Sequence, residues 1–474
     1  MVALAASWFA YATIVSLQSE AIASDDAFIS FQYARNLASG HGLVFNQGER
    51  VWGFTSPLQT VLLGALSALG LDTVRTALVT AFLWVAGSSL LLYRLAVGTL
   101  SRLFALVLAV FFLFDHSQHG NYGLESNLLI LLQLGFLVSV LHERSRVAAV
   151  VGALACLTRP DSLLLVVPVL LATSHTRRLR PLAIFAGMGA AWEVFAYLYY
   201  GSFLPQSFYG KVGLTPFVPF FADAFREMAS LGLAPVFGFS SQPATIRRIA
   251  LVALSFCPLL SPRIRGRFAL WFPLVLYPWL LILAYSYIGS FKGHYWEFFS
   301  AKFFFAVAVV VGTLTVLAAA VQRLPGLKRA APAVAVLAML VVGVNSASRA
   351  VALPRRFREA KTSFYGGLRY DAFRRVAEWT KANLPAGSTI QVGEFGTLAY
   401  FSDCKILDVS GIVTKGIPAD ERSNDQALLN RFRPPYALIY FNRAVLSPSP
   451  TLHYDRIAYF PFQGYAQFSL LRRR

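Results

Sequence analysis

The sequence predicts a mainly α-helical, polytopic membrane protein that carries a small α/β domain at its C-terminal end. Three observations lead there. Of 474 residues, 56% are hydrophobic and only 14% are charged, against about 25% charged in soluble domains; the mean hydropathy is +0.56. The apolar residues fall in blocks separated by short basic loops, the pattern of helices that cross a bilayer. From about residue 349 the chain turns polar, and helical and strand patterns alternate, which points to an α/β unit.

The net charge of +19 does not indicate nucleic acid. Many of the Lys and Arg residues lie in short loops between apolar runs, as the positive-inside rule expects. The three cysteines, Cys156, Cys257 and Cys404, form neither a disulfide framework nor a zinc pattern. The first apolar run lacks a basic start, and Asp-Asp-Ala after it is a poor cleavage site. That run is expected to stay as a membrane span.

Basic clusters set a topology. They are Arg94 with Arg102, His142 to Arg146, Arg177 to Arg180, Arg263 with Arg265 and Arg267, and Arg323 with Lys328 and Arg329. With all of them in the cytoplasm, an even number of crossings separates each neighbouring pair. About eleven spans result: 3–22, 74–93, 103–115, 125–141, 147–157, 162–173, 181–199, 248–261, 268–287, 303–322 and 331–348. The 147–157 and 162–173 pair is short enough to be a re-entrant hairpin. The apolar piece 57–70 is too short for a span and is expected along the outer surface. Segments 23–73, 115–125, 158–161, 200–247 and 288–302 then face outward, as does the chain from 349. The transmembrane domain is expected over 1–348 and the outer α/β domain over 349–474. In the latter, Asp371 to Leu384 has helical spacing and is stopped by Pro385-Ala386-Gly387. Strands are expected near 389–393, 405–409 and 436–441, and a helix near 424–432.

The outward segments hold the polar residues. Asp25 and Asp26 stand where the first span meets water, with Arg35, His41, Arg50 and Trp52 in the same loop. Paired acids at a membrane edge are costly unless solvated or partnered, so they point to function. Ser24 or Asp25 as a helix cap is the local alternative. Further groups are His116 to Glu125, with His119 and Glu125; Thr158-Arg159-Pro160-Asp161; Leu204 to Lys211, with Gln206 and Tyr209; and Lys292, His294, Trp296, Glu297 and Lys302. Carboxylates supply a base, Arg and Lys bind phosphate, and aromatics stack on sugar faces. Together they suggest a cavity for an anionic, hydroxyl-rich ligand.

Each group has a plainer alternative. Arg159 and Asp161 can pair across one turn. His41, between two glycines, fits a turn. His116 and His119 lack a third metal ligand. Glu125 can cap a helix, Glu394 can serve structure, and the aromatics from Tyr285 to Phe305 read as an interface belt.

Asp25-Asp26-Ala27-Phe28-Ile29-Ser30-Phe31-Gln32-Tyr33-Ala34-Arg35-Asn36, continuing through Ser39-Gly40-His41-Gly42 to Asn46, resembles the first external loop of bacterial GT-C glycosyltransferases. The mycobacterial-type terminal β-1,2-arabinofuranosyltransferase group is most similar. Gly123-Leu124-Glu125, Thr158 to Asp161, Leu204 to Lys211, Val392 to Gly396 and Leu407-Asp408 extend the resemblance in the same order. It implies a transferase that takes a sugar from a polyprenyl-phosphate carrier and passes it to a cell-envelope glycan or other acceptor on the outer face of the bacterial inner membrane. Asp25 or Asp26 would act on the acceptor hydroxyl, with Asp25 favoured by the resemblance. Arg159, Lys211, Lys292 and Lys302 would meet the donor phosphate. Arg35, His41, Trp52, His119, Glu125, Asp161, Gln206, Tyr209 and His294 would contact substrate. No nucleotide or redox cofactor is implied, and a divalent metal near the acids is not demanded. Thr55-Ser56-Pro57 stands where Thr-Asn-Pro is expected, and Gln32 where Arg is common, so the sugar stays open. A transporter or lipid-linked sugar flippase is the competing class. It lacks an inverted repeat, and the acids sit at the membrane edge. A non-catalytic envelope scaffold leaves the acids unexplained.

Overall fold

The structure is a computed structural model that describes residues 1–18, 24–114, 123–173, 179–211, 221–222, 225, 244–288, 297–323, 344, 346–359, 367–418, 420–442, 453–462 and 466–474. It is mostly helical. In chain order the helices are α1 (Val2–Gln18), α2 (Asp25–Ala38), α3 (Pro57–Ala68), α4 (Thr73–Val97), α5 (Arg102–Phe114), α6 (Ser126–Leu141), α7 (Ser145–Thr158) and α8 (Leu163–Thr173). There follow α9 (Arg180–Tyr200), α10 (Gln206–Lys211), α11 (Ala244–Phe256), α12 (Phe268–Ile288) and α13 (Phe299–Arg323).

Among the described residues, four helices (α4, α9, α12 and the Phe299–Val321 part of α13) are long and apolar enough to cross a membrane. Seven shorter apolar helices accompany them. The chain is an integral membrane protein. The expected span 331–348 lies almost wholly outside the described residues. Helix α4 shows why these segments form: 25 residues reach about 38 Å at 1.5 Å per residue, beyond the ~30 Å hydrocarbon core. Its start is capped by Asp72, whose carboxylate accepts from the Arg75 N–H at 2.8 Å. The expected surface piece is α3, whose 12 residues reach only about 18 Å; it packs on α2 and α4. The short hairpin is α7 and α8, joined by the single turn Pro160–Ser162.

The bundle core is aromatic and aliphatic: Trp8 of α1, Phe82 of α4, Phe112 of α5, Phe136 of α6, Val166 of α8 and Phe303 of α13 share one buried cluster. Helices α11 and α13 approach so closely at Gly312 that a Cβ there would lie 1.9 Å from the Leu254 carbonyl oxygen. Any side chain at this position would force the helices apart.

The C-terminal unit holds α14 (Arg369–Asn383), α15 (Gly396–Phe401) and α16 (Asp425–Phe432) around a five-stranded sheet. Its strands are β1 (Thr389–Val392), β2 (Lys405–Asp408), β3 (Tyr436–Asn442), β4 (Tyr454–Phe462) and β5 (Ala466–Arg473), in the order β2-β1-β3-β5-β4. β1 is parallel to both β2 and β3; β5 runs antiparallel to β3 and β4. The β4–β5 hairpin was not expected from the sequence. β4 carries charges, a register shift between Arg456 and Ala458, and Pro461, features an edge strand tolerates.

The loop after α2 is wedged between α9 and this sheet. Asn46 exchanges two hydrogen bonds with the backbone of Ile406 on β2, both 2.9 Å. Tyr200 donates to the Leu43 carbonyl at 2.7 Å. Tyr33 donates to the Val51 carbonyl at 2.6 Å and accepts from the Gly53 N–H at 3.0 Å.

Candidate active site

Two polar centres stand out, one at the start of α2 and one at the α7–α8 turn. In the first, Asp25 opens α2, but neither it nor Ser24 caps that helix. Its carboxylate instead reaches the far end of the chain. Oδ1 accepts from the Thr397 N–H at 2.8 Å and Oδ2 from the Gly396 N–H at 3.2 Å. Both acids of the pair are half-buried. Aromatics hold the two elements together: Phe28 of α2 lies 5.7, 5.4 and 5.6 Å from the rings of Tyr370, Tyr400 and Phe401. Arg35, about two turns beyond Phe28 on the same face of α2, donates to the Tyr400 carbonyl and sits 4.9 Å over its ring.

The second centre is buried. Arg159 leaves α7 in an extended conformation, because Pro160 disfavours a helical residue before it. The guanidinium then turns inward. Its Nη1 meets Glu125 at 2.9 Å, its Nε meets Asp161 Oδ2 at 2.9 Å, and its Nη2 donates to the Tyr285 hydroxyl at 2.7 Å. Tyr285 in turn donates to Asp161 Oδ2 at 2.8 Å. Glu125 stands before the first turn of α6 without capping it. Glu297, in the turn before α13, is buried as well. One cation thus faces at least two carboxylates, and its donors are largely taken up by protein groups.

Below this lies a wholly satisfied buried set. Gln133 donates to Ser162 and Tyr277 at 3.3 and 3.2 Å, and Ser300 donates to Gln133 at 2.7 Å. Lys302, half-buried, follows Ser300 by two residues. The two centres are neighbours. Leu124, next to Glu125, packs on the cluster that contains Ala27 and Phe28. Gln59 of α3 donates to the Gly123 carbonyl at 2.8 Å.

The remaining expected residues are placed as follows. Trp52 is 4% exposed and packs at 5.9 Å on Tyr200 and 5.7 Å on Trp192; it fills the core between loop and sheet. His41 is exposed on a turn flanked by Gly40 and Gly42, both with positive φ. Arg50 sits 4.6 Å over Tyr199. The Gln206 N–H donates to the Trp52 carbonyl at 2.7 Å, and exposed Tyr209 offers its carbonyl to Arg422. His119, Lys292 and His294 lie outside the described residues, and nothing is described of the Lys211 side chain. No group of three or more His, Cys, Asp or Glu stands ready for a metal among the described residues.

Sequence reasoning missed Tyr285, Gln133, Tyr277 and Ser300. Tyr285 read as a belt aromatic, whereas its hydroxyl joins Arg159 to Asp161. The signal was a tyrosine, with its polar handle, inside an apolar run. Glu394 pairs with Arg369 across the α14 face.

Over nearly its whole length the chain has the fold of ArnT from Cupriavidus metallidurans. Against the apo crystal structure the TM-score is 0.60 at 13% identity, over 98% of this chain and 97% of that one. Against the crystal structure bound to undecaprenyl phosphate it is 0.57 at 13% identity, over 99% and 97%. In sequence the chain is similar to the terminal beta-(1->2)-arabinofuranosyltransferase of Mycobacterium tuberculosis (strain ATCC 25618 / H37Rv), at 32% identity over 219 residues. That match spans 40% of this chain and 34% of the relative, about a third of its length. Residues 362–471 match a family described as a domain of unknown function (DUF8728). The resemblance carried by the first loop therefore stands: the chain has a GT-C fold and resembles the terminal arabinofuranosyltransferase group.

Proposed function

We propose that this protein transfers a sugar, with arabinofuranose the first choice, from a polyprenyl-phosphate donor to a cell-envelope glycan on the outer face of the bacterial inner membrane. The observation that carries the proposal is the acid pair at the head of α2, with Asp25 held by the C-terminal unit, within a fold shared with a protein crystallised with undecaprenyl phosphate. About eleven crossings, a transmembrane domain over 1–348 and an outward C-terminal domain from 349 complete the picture.

In the reaction, the acceptor hydroxyl attacks the anomeric carbon of the donor sugar. Asp25 takes the hydroxyl proton, with Asp26 beside it on the same turn. The bond from the anomeric carbon to the phosphate oxygen breaks, and its electron pair leaves on the polyprenyl phosphate. Removing such a base typically costs about 10²–10⁴ in rate. The leaving phosphate needs cations, and Lys302, Lys211 and Lys292 are assigned to it. Arg159 is assigned to holding the α7–α8 break, because the carboxylates around it outnumber its charge and repel an anion. No resident cofactor takes part.

The test incubates purified protein with labelled polyprenyl-phosphate sugars and a glycan acceptor. Labelled product is the expected result. Movement of the donor across a vesicle membrane without turnover would favour a flippase instead.

A further inference from the structure

The two N–H groups that meet Asp25 come from residues 371 and 372 positions away. We infer that Gly396 and Thr397 are positioning residues of the transfer site: their backbone N–H groups fix the Asp25 carboxylate in the rotamer that presents it to the acceptor hydroxyl. The inference rests on the glycosyl-transfer function proposed above.

Three observations carry it. Each carboxylate oxygen receives one N–H, at 2.8 and 3.2 Å. A carboxylate oxygen has two acceptor positions, so both torsions of the side chain are pinned while one position on each oxygen is left for substrate. Second, the approach demands glycine. A Cβ on residue 396 would lie 2.1 Å from the Asp25 carbonyl oxygen and 3.2 Å from the Phe28 Cβ. Third, the docking does not depend on Asp25. Phe28 against Tyr370, Tyr400 and Phe401, with Arg35 on Tyr400, already clasps α2 to α15. The N–H pair therefore orients a carboxylate on a junction that other contacts hold shut. Catalytic groups gain most of their effect from such preorganisation. The C-terminal unit is then part of the catalytic site, although it contributes only backbone.

The test uses the full chain in detergent. Gly396→Ala pushes residue 396 off Asp25 and should lower kcat on the order of 10–100-fold, the scale of a misplacement of about 1 Å. KM for donor and acceptor should stay near wild type, a split that a merely structural role would not produce. Arg369→Ala breaks the Arg369–Glu394 pair within the C-terminal unit and should leave kcat unchanged. Independently of activity, Asp25→Ala should speed hydrogen exchange at Gly396 and Thr397 and leave Ile390 to Val392 on β1 unaffected. A folded Gly396→Ala protein with wild-type kcat would overturn the inference. Unchanged exchange at Thr397 in Asp25→Ala would overturn it too, even where Gly396→Ala fails to fold. Absence of transfer by the wild type from any polyprenyl-phosphate sugar would instead sink the proposed function, with the exchange result unaffected.

Discussion

The Thr397 N–H donates to Asp25 Oδ1 at 2.8 Å, joining residues 372 positions apart. This bond ties the head of α2 to the sheet unit at the other end of the chain. Asp25 belongs to the helical bundle by sequence and to the junction with the α/β unit by geometry.

Arg159→Ala should destabilise the protein and leave donor affinity near wild type. The guanidinium bridges Glu125, Asp161 and Tyr285 in a buried setting. Removing one partner of such a set typically costs about 3–5 kcal/mol, because the other charges stay buried and uncompensated. Arg159→Lys should recover only part, since a lysine lacks the two-pronged fork. Thermal melting and donor titration on the same variants check this. A well-folded Arg159→Ala protein with donor affinity lowered tenfold or more, about 1.4 kcal/mol, would return Arg159 to the phosphate site.

Trp52→Ala should lower stability by about 3–5 kcal/mol, the usual scale for deleting a buried large aromatic. Trp52→Phe should keep the acceptor and donor KM near wild type, because the ring packs on Tyr200 and Trp192. A large rise in KM for a stable Trp52→Phe protein would place the indole in the sugar site.

These two residues show what the sequence made legible. The acid pair, the Arg159 break and three of the five strands were visible, because each rests on local signals: adjacent charges at a span end, a proline after an arginine, short apolar runs between turn residues. Tyr285 was not, since its partner lies 126 positions away and an apolar run hides a buried, hydrogen-bonded hydroxyl. Trp52 shows the opposite limit. A tryptophan in a polar loop reads as a sugar platform, yet the loop is folded into the core by Asn46 and Tyr200. The β4–β5 hairpin escaped because charges and Pro461 break the alternation expected of strands.

Asp408 should give the protein a local pH dependence. Burial pushes its carboxyl from 3.8 up to about 6, against the pull of N–H groups from Ser410, Val413 and Ile412. A folded-state value raised above the unfolded one means that the fold favours the protonated form. Its contribution is therefore complete below about pH 3.8 and is lost as the pH rises through about 6. The melting temperature of wild type should fall over that window relative to Asp408→Asn. Parallel pH profiles for the two proteins would contradict this.

Cysteine labelling should separate the two sides of the membrane. In a background lacking Cys156, Cys257 and Cys404, a cysteine at exposed Ala386, in the C-terminal unit, should react with an impermeant reagent in intact cells. One at Ser145, the first residue of α7 beside the basic His142–Arg144 turn, should react only after lysis. The reverse pattern would invert the proposed topology.

Sugar transfer by the acid pair at the head of α2 can be tested directly. The most direct measurement is single-turnover transfer from a labelled polyprenyl-phosphate sugar by wild type, Asp25→Asn and Asp26→Asn, with donor binding measured on the same preparations. The expected result is product from wild type and a rate lower by about 10²–10⁴ for Asp25→Asn, with donor binding and melting temperature retained. Near-normal turnover in both variants would contradict the claim.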